Sequence, residues 1–158
     1  MLHDLGKLSI MDSILRKPDR LTAEEFAIIK SHPVVGAKIL EPLRFLVRET
    51  CAVRHHHERF DGTGYPDGLR GEDIPLVARV VTVADVFDAV TSNRPYRTAM
   101  PLDVAREEIA SGCGSHFDPV VAEAFLRIPL AKLDEITRHY ESLTSGAAPS
   151  TPALAQAN

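Results

Sequence analysis

Residues 52–71 read AVRHHHERFDGTGYPDGLRG, three histidines in a row followed by a glutamate, an aspartate and a glycine-rich stretch. Such a run is costly in an apolar core and needless on a surface, so its chemistry is sought in the residues that could share a site with it. The candidates are His3 with Asp4, His32, His56 with His57, and Asp85. The intervals are 28 residues from Asp4 to His32, 24 from His32 to His56 and 28 from His57 to Asp85. Each suits a few helical turns out, a connection and a few turns back, so successive ligands can return to one level of a bundle. A lone histidine on an apolar face is ordinarily a satisfied core residue, and an HD dipeptide is a weak signal. The set together reads as a metal site of imidazoles and carboxylates. With no thiolate among them, the donors suit iron or manganese ahead of zinc or nickel.

The elements that must position these residues are helices. Thr22 with Glu25 three residues later forms a capping box that opens a helix through Phe26, Ile28 and Ile29. Pro33 suits the first turn of the next, which carries Val34, Val35, Ala37, Ile39 and Leu40. A third is expected over about 45–58, with His56 and His57 flanking its inward face three and four residues beyond Val53. A fourth, from near Pro75, is expected to bury Val77, Val80, Val81, Ala84 and Phe87, with Asp85 and Asp88 on the same stripe. Leu102, Ala105 and Ile109 mark another, closed by Gly112; Asp118 before Pro119 reads as a cap, and a last helix carries Leu133, Ile136, Tyr140 and Leu143. Four glycines and a proline between Asp61 and Gly71 break the pattern with a loop. The expected fold is an all-α helical bundle, residues 1–144, followed by a disordered, uncharged tail at 145–158.

Composition narrows the function. At 158 residues, 44% hydrophobic and 25% charged, the chain is long enough for one domain with a real core. A net charge of −4 argues against a general nucleic-acid or anionic-membrane binder, so a phosphate ligand would need a local basic patch or a metal. Cys51 and Cys113 form no CxxC pair, which suggests a reduced, cytoplasmic setting. No apolar run approaches the ~18 residues of a membrane span.

The stretches HDLGK (3–7), HPVVGAKIL (32–40), HHERFDGTGYPDGLRG (56–71), VADVFDAVTSNRPYR (83–97) and FDP (117–119) resemble the HD-GYP family, a branch of the HD phosphohydrolases. Members hydrolyse the bacterial second messenger cyclic di-GMP to linear pGpG, to GMP, or to both. The resemblance implies an HD-type bundle holding two divalent ions, or three, on His3, Asp4, His32, His56, His57 and Asp85, with Asp4 as the bridge. It assigns His56 and His57 to metal because they directly precede Glu58, and leaves His55 a packing or outer position. His116 and His139 are not expected to be ligands. By family position Lys7 stabilises the charged transition state and acts with Asp4 in catalysis; otherwise it is an ordinary solvated lysine. Arg94 and Arg97 match positions that hold the non-reacting phosphate, where a guanidinium fork suits bidentate contact; the plainer alternative pairs one of them with Asp61 or a helix end. Gly64, Tyr65 and Pro66, with Gly62, form the GYP loop, which lines the substrate cleft and offers a docking edge to a diguanylate cyclase (GGDEF) domain. Tyr65 could equally be a loop anchor. Asp61 and Asp88 are read as outer supports of the site, although Asp88 could instead cap a backbone or pair with an arginine.

Family members carry an upstream helical segment that supplies another histidine and, in trinuclear members, a glutamate. By that standard the chain is expected to be N-terminally truncated, with a frayed start and impaired activity. Two alternatives to an active phosphodiesterase follow: a cyclic di-GMP- or cyclase-binding module without turnover, and an HD hydrolase of another nucleotide. A homodimer is left open.

Overall fold

The computed structural model describes residues 2–93 and 98–145, with side chains through 139. Their regular elements are helices, apart from a single bridge between Cys113 and Phe117. A 3-10 helix, Leu2–Ser9, is followed by α1 (Asp12–Leu15), α2 (Ala23–Lys30), α3 (His32–Leu40), α4 (Val47–His55), α5 (Leu76–Thr91), α6 (Leu102–Ser111), α7 (Pro119–Leu126) and α8 (Leu130–Ser145). Two compact units result, Met1–Arg127 and Ile128–Asn158. The second contributes α8, whose Thr137 hydroxyl donates to the Leu133 carbonyl at 3.0 Å. The expected tail beyond 145 lies outside the described residues.

Local chemistry opens the helices where the sequence says it should. The Thr22 hydroxyl accepts from the Glu25 amide at 3.2 Å, and the Glu25 carboxylate accepts from the Thr22 amide at 2.7 Å. Lys17 donates to both oxygens of the same carboxylate at 2.7 and 2.8 Å, tying the chain before α2 to its start. Pro33 sits in the first turn of α3. Asp118 caps α7 by accepting from the Val120 amide at 2.7 Å, and its other oxygen pairs with Arg79 of α5. That pair joins α5 to the start of α7, and Val83, Ile109, Phe117 and Ala122 form a buried cluster joined by Phe87 and Phe125.

Two expectations are corrected. The third helix stops at His55 rather than near Glu58, because the GYP loop folds back onto the chain at that point. A Cβ on Gly64 would lie 2.3 Å from the Arg59 amide nitrogen and 2.6 Å from both Glu58 Cα and the His57 carbonyl oxygen, so only glycine permits the return. The buried face of α5 is also rotated from the expected one: it is Ala78, Thr82, Val83 and Val90 that are buried. Val80 is 48% exposed, while Val77 and Val81 line an open groove with Leu2, His3 and Ala52. The helix is apolar on nearly every side, so periodicity alone cannot set its phase.

The start of the chain is held by a second glycine contact. A Cβ on Gly6 would fall 1.9 Å from the His32 carbonyl oxygen and 2.7 Å from the Gly36 nitrogen, and one on Gly36 would lie 3.1 Å from the Gly6 nitrogen. The 3-10 helix thus lies backbone against backbone on α3, which brings Asp4 to His32. Gly6→Ala must force these segments apart. We expect it to lower stability by about 1–3 kcal/mol, the usual scale of overpacking, read as a fall in the urea midpoint at unchanged slope. A wild-type midpoint would show that the segments do not meet this closely.

Candidate metal centre

Two imidazoles of the candidate set are fixed by ordinary backbone contacts. His32 Nδ1 lies 2.7 Å from the Ile29 carbonyl oxygen, and His56 Nδ1 lies 2.8 Å from that of Val53. A carbonyl can only accept, so both Nδ1 atoms carry the proton and both Nε2 atoms present lone pairs. Those two Nε2 atoms face each other at 3.3 Å. Neither has a proton to share in the neutral form, and burial keeps both rings neutral: desolvation, with the Lys7 charge behind it, shifts His32 down, and desolvation, with the His3 and His32 rings behind it, lowers His56 to about 4. Opposed lone pairs at that distance call for a cation between them. Two ligands each about 2.1 Å from one ion sit about 3.0–3.5 Å apart, which matches.

The remaining candidates close around this pair. Asp4 Oδ1 is 3.5 Å from His32 Nε2, and Asp4 Oδ2 is 3.8 Å from His3 Nε2, so one carboxylate reaches two imidazoles. His3 Nε2 is 3.3 Å from Asp85 Oδ1. The His57 ring stands 4.1 Å from that of His56 and 5.0 Å from that of His32, and the three offer ligand atoms within 4.8 Å of one another. Burial and the adjacent rings push His57 down to about 3, so it too is a neutral donor at ordinary pH. Burial works against charge on Asp85, yet His3, His57 and His56 outweigh it and hold the carboxyl at about 2. Desolvation likewise opposes charge on Asp4, and the Lys7 ammonium, donating to Oδ2 at 2.7 Å, overrides it. Neutral imidazoles and ionised carboxylates directed inward are the donor set of a divalent metal centre.

Tyr65 forms one wall, its ring stacked on His57 at 4.9 Å. Burial, then the charges of Asp85 and Asp4, push its hydroxyl up to about 12, so it keeps its proton. Gly64 and Pro66 flank it on the same loop. Asp61 sits at the loop's entry, where it accepts from the Thr63 amide at 2.9 Å and the Thr63 hydroxyl at 2.6 Å and shapes the turn. Asp88 accepts from the Ser92 hydroxyl at 3.0 Å. Arg94 and Arg97 lie outside the described residues. His116 stacks on Phe117 at 4.3 Å, and His139 is exposed.

Sequence reasoning overlooked two supports. Thr82, buried on α5, places its hydroxyl 2.8 Å from the His56 carbonyl oxygen and anchors the turn that presents His56. Glu58, 1% exposed, accepts from the amides of Asp67 at 2.7 Å and Gly68 at 3.1 Å, and so fastens the GYP loop from beneath. A glutamate directly after a histidine pair, next to a glycine-rich loop, was the available signal for the second.

Comparison with known proteins gives the family. A family model described as HD domain matches residues 1–121. The chain belongs to the HD domain family. HD phosphohydrolases bind divalent metals, and the HD-GYP motifs set this chain with that branch. It is 45% identical over 146 residues to the cyclic di-GMP phosphodiesterase response regulator RpfG of Xanthomonas campestris, covering 91% of this chain and 38% of that protein. A cyclic di-GMP phosphodiesterase of Thermotoga maritima is also 45% identical, with 91% and 40% covered. A 3'3'-cGAMP-specific phosphodiesterase of Vibrio cholerae is 43% identical over 79% of this chain and 24% of its own length. The chain therefore spans two fifths or less of these relatives. The crystal structure of a cyclic GMP-AMP specific phosphodiesterase of V. cholerae shares the fold, with a TM-score of 0.58 at 22% identity, over 94% of this chain and 39% of that one. Among the described residues no helix is long and apolar enough to cross a membrane.

The geometry separates the members of the histidine triplet. Asp85→Ala should strip bound iron or manganese, because a ligand carboxylate is lost. His55→Ala should keep the metal of this centre within the roughly 10–100-fold affinity loss typical of an outer-shell change. Elemental analysis of the two variants after identical loading checks this, and equal loss in both would overturn the assignment.

Proposed function

We propose that this chain is the phosphodiesterase domain of a bacterial second-messenger hydrolase, cleaving cyclic di-GMP to linear pGpG, GMP or both, in the cytoplasm where that nucleotide is made and destroyed. The observation that carries the reading is the opposed Nε2 pair of His32 and His56, ringed by Asp4, Asp85, His3 and His57 beneath the Tyr65 loop. These six residues would hold two divalent ions, iron or manganese first, with Asp4 shared between them. Bound there, such ions supply Lewis acidity toward a phosphate oxygen and a water of lowered pKa.

The chain's own residues do the rest. Lys7, held against Asp4, keeps a positive charge beside the reacting phosphate, where charge develops on the transition state. Tyr65 retains an O–H able to donate to substrate, while its ring covers His57 and keeps water from that side. Lys30 stands 5.2 Å over the Tyr65 ring, a second cation beside the site. Arg94 and Arg97 are assigned to the distal phosphate, and Asp61 and Asp88 to holding the loop and the α5 end that frame the cleft.

A second substrate reading has a specific motive, since relatives named as 3'3'-cGAMP-specific phosphodiesterases match at 43% and 38% identity. Chromatography of products after incubating iron- or manganese-loaded protein with each nucleotide distinguishes the two. We expect turnover of cyclic di-GMP to exceed that of 3'3'-cGAMP; the reverse order would reassign the substrate, and no product from either under both metals would reject the enzyme reading. Charge-assisted contacts to phosphate are worth about 1.5–3 kcal/mol, so Arg94→Ala should raise the Michaelis constant about tenfold or more. An unchanged constant would make that arginine structural.

A further inference from the structure

His55 is the member of the triplet that the metal centre does not use. It stands on the last turn of α4 and faces the GYP loop. Its Nδ1 is buried without a hydrogen-bond partner, 3.4 Å from Asp67 Oδ2 and 3.9 Å from Glu58 Oε1. Glu58 is itself fully enclosed: Oε1 takes the amides of Asp67 and Gly68, and Oε2 is buried with no partner. Buried polar atoms are ordinarily hydrogen-bonded, and this pair of adjoining side chains leaves two without a partner, an imidazole nitrogen and a carboxylate oxygen.

The third wall is Asp67. Arg54 forks onto it, Nε to Oδ2 at 2.8 Å and Nη2 to Oδ1 at 2.7 Å, which holds the carboxylate ionised and fixed in orientation. Outer partners of metal-binding carboxylates do the same. His55, Glu58 and Asp67 each offer a ligand atom, all within 4.8 Å of one another. Two carboxylates against one guanidinium leave the spot net negative, and the Nδ1–Oδ2 separation is that of neighbouring ligands on one small cation.

We propose that His55, Glu58 and Asp67 form a second divalent-cation site, separate from the His32–His56 centre and suited to zinc. One imidazole and two carboxylates with a water completing a tetrahedron are ordinary zinc ligation. No ligand is shared between the two sites. The ion joins the end of α4 to the far limb of the GYP loop, so its occupancy sets how firmly Tyr65 is held over His57. This site stands whatever nucleotide the neighbouring centre cleaves.

The test is zinc titration of the chelator-stripped full chain against a chromophoric competitor, beside His55→Gln, Asp67→Asn and His32→Ala. Asp67 is a third exposed on its side chain, so its isosteric change should fold even if the His55 variant does not. We expect His55→Gln and Asp67→Asn each to lose one zinc equivalent, or to bind it at least tenfold more weakly, while His32→Ala retains that equivalent. Trypsin supplies a second readout: zinc should slow cleavage after Arg59 and Arg70, at the two ends of the loop, in the wild type and His32→Ala but not in the other two. Unchanged zinc stoichiometry and affinity in folded Asp67→Asn, or loop protection by zinc that survives both loop-side variants, would overturn the proposal and leave the trio a plain tether.

Discussion

Two imidazole nitrogens facing each other with their lone pairs are the constraint on which the rest of this molecule depends. His32 and His56 each give their one proton to a carbonyl three residues earlier in their own chain. That commitment is local and cheap, since every helix end has carbonyls to satisfy. Its consequence is not local, because it turns both Nε2 atoms toward the same point. Burial then removes the usual remedy: a proton shared between them would make a cation in a desolvated place, and the lowered His32 and His56 values express that cost. A cation with its own ligand shell is the remedy left, and Asp4 and Asp85 bring the negative charge it needs.

The fold serves this meeting point through contacts that admit no side chain. Gly6 and Gly36 let the 3-10 helix press its backbone onto α3, which brings Asp4 level with His32. Gly64 lets the GYP loop press onto the chain after α4, which brings Tyr65 over His57. Thr82 secures the turn after α4 and Glu58 the GYP loop, each through a buried side chain spent on backbone groups. Rigid support of this kind is what a metal centre requires if its ligands are to be waiting rather than gathered on binding.

Much of this was legible in the sequence, for identifiable reasons. Thr22, Pro33 and Asp118 announce their helices because capping is chemistry between neighbours a few residues apart. The ligand candidates were legible because helical intervals of 24 and 28 residues return the chain to one level. The phase of α5 was not, since a helix apolar on most sides has no single preferred face and only its packing partners choose one. Nor were Gly6 and Gly36 visible as a pair. A close approach between segments thirty residues apart leaves no periodic trace, and each glycine alone reads as a mere weak point in a helix. Glu58 was in plain view, yet its role depends on two amides nine and ten residues away that only the folded loop presents.

The histidine triplet shows how a break in regular structure creates function. On a continuous helix, successive side chains are splayed by about 100°, so His56 and His57 would flank an inward face from its two sides. Here α4 ends at His55 with His56 as its cap, still helical in backbone and donating its amide to the Ala52 carbonyl, and the chain then leaves the helix with the His56 and His57 rings 4.1 Å apart at a tilt of 41°. What stops the helix is the return of Gly64 to the backbone at Glu58 and Arg59, so the glycine-rich loop is the cause of the ligand geometry as well as its cover. His55, still on the last helical turn, keeps the helix's direction and looks instead to Asp67 and Glu58. Three identical residues in a row thus acquire different neighbours where the helix gives way to the loop, and that loop is the one they are placed to serve.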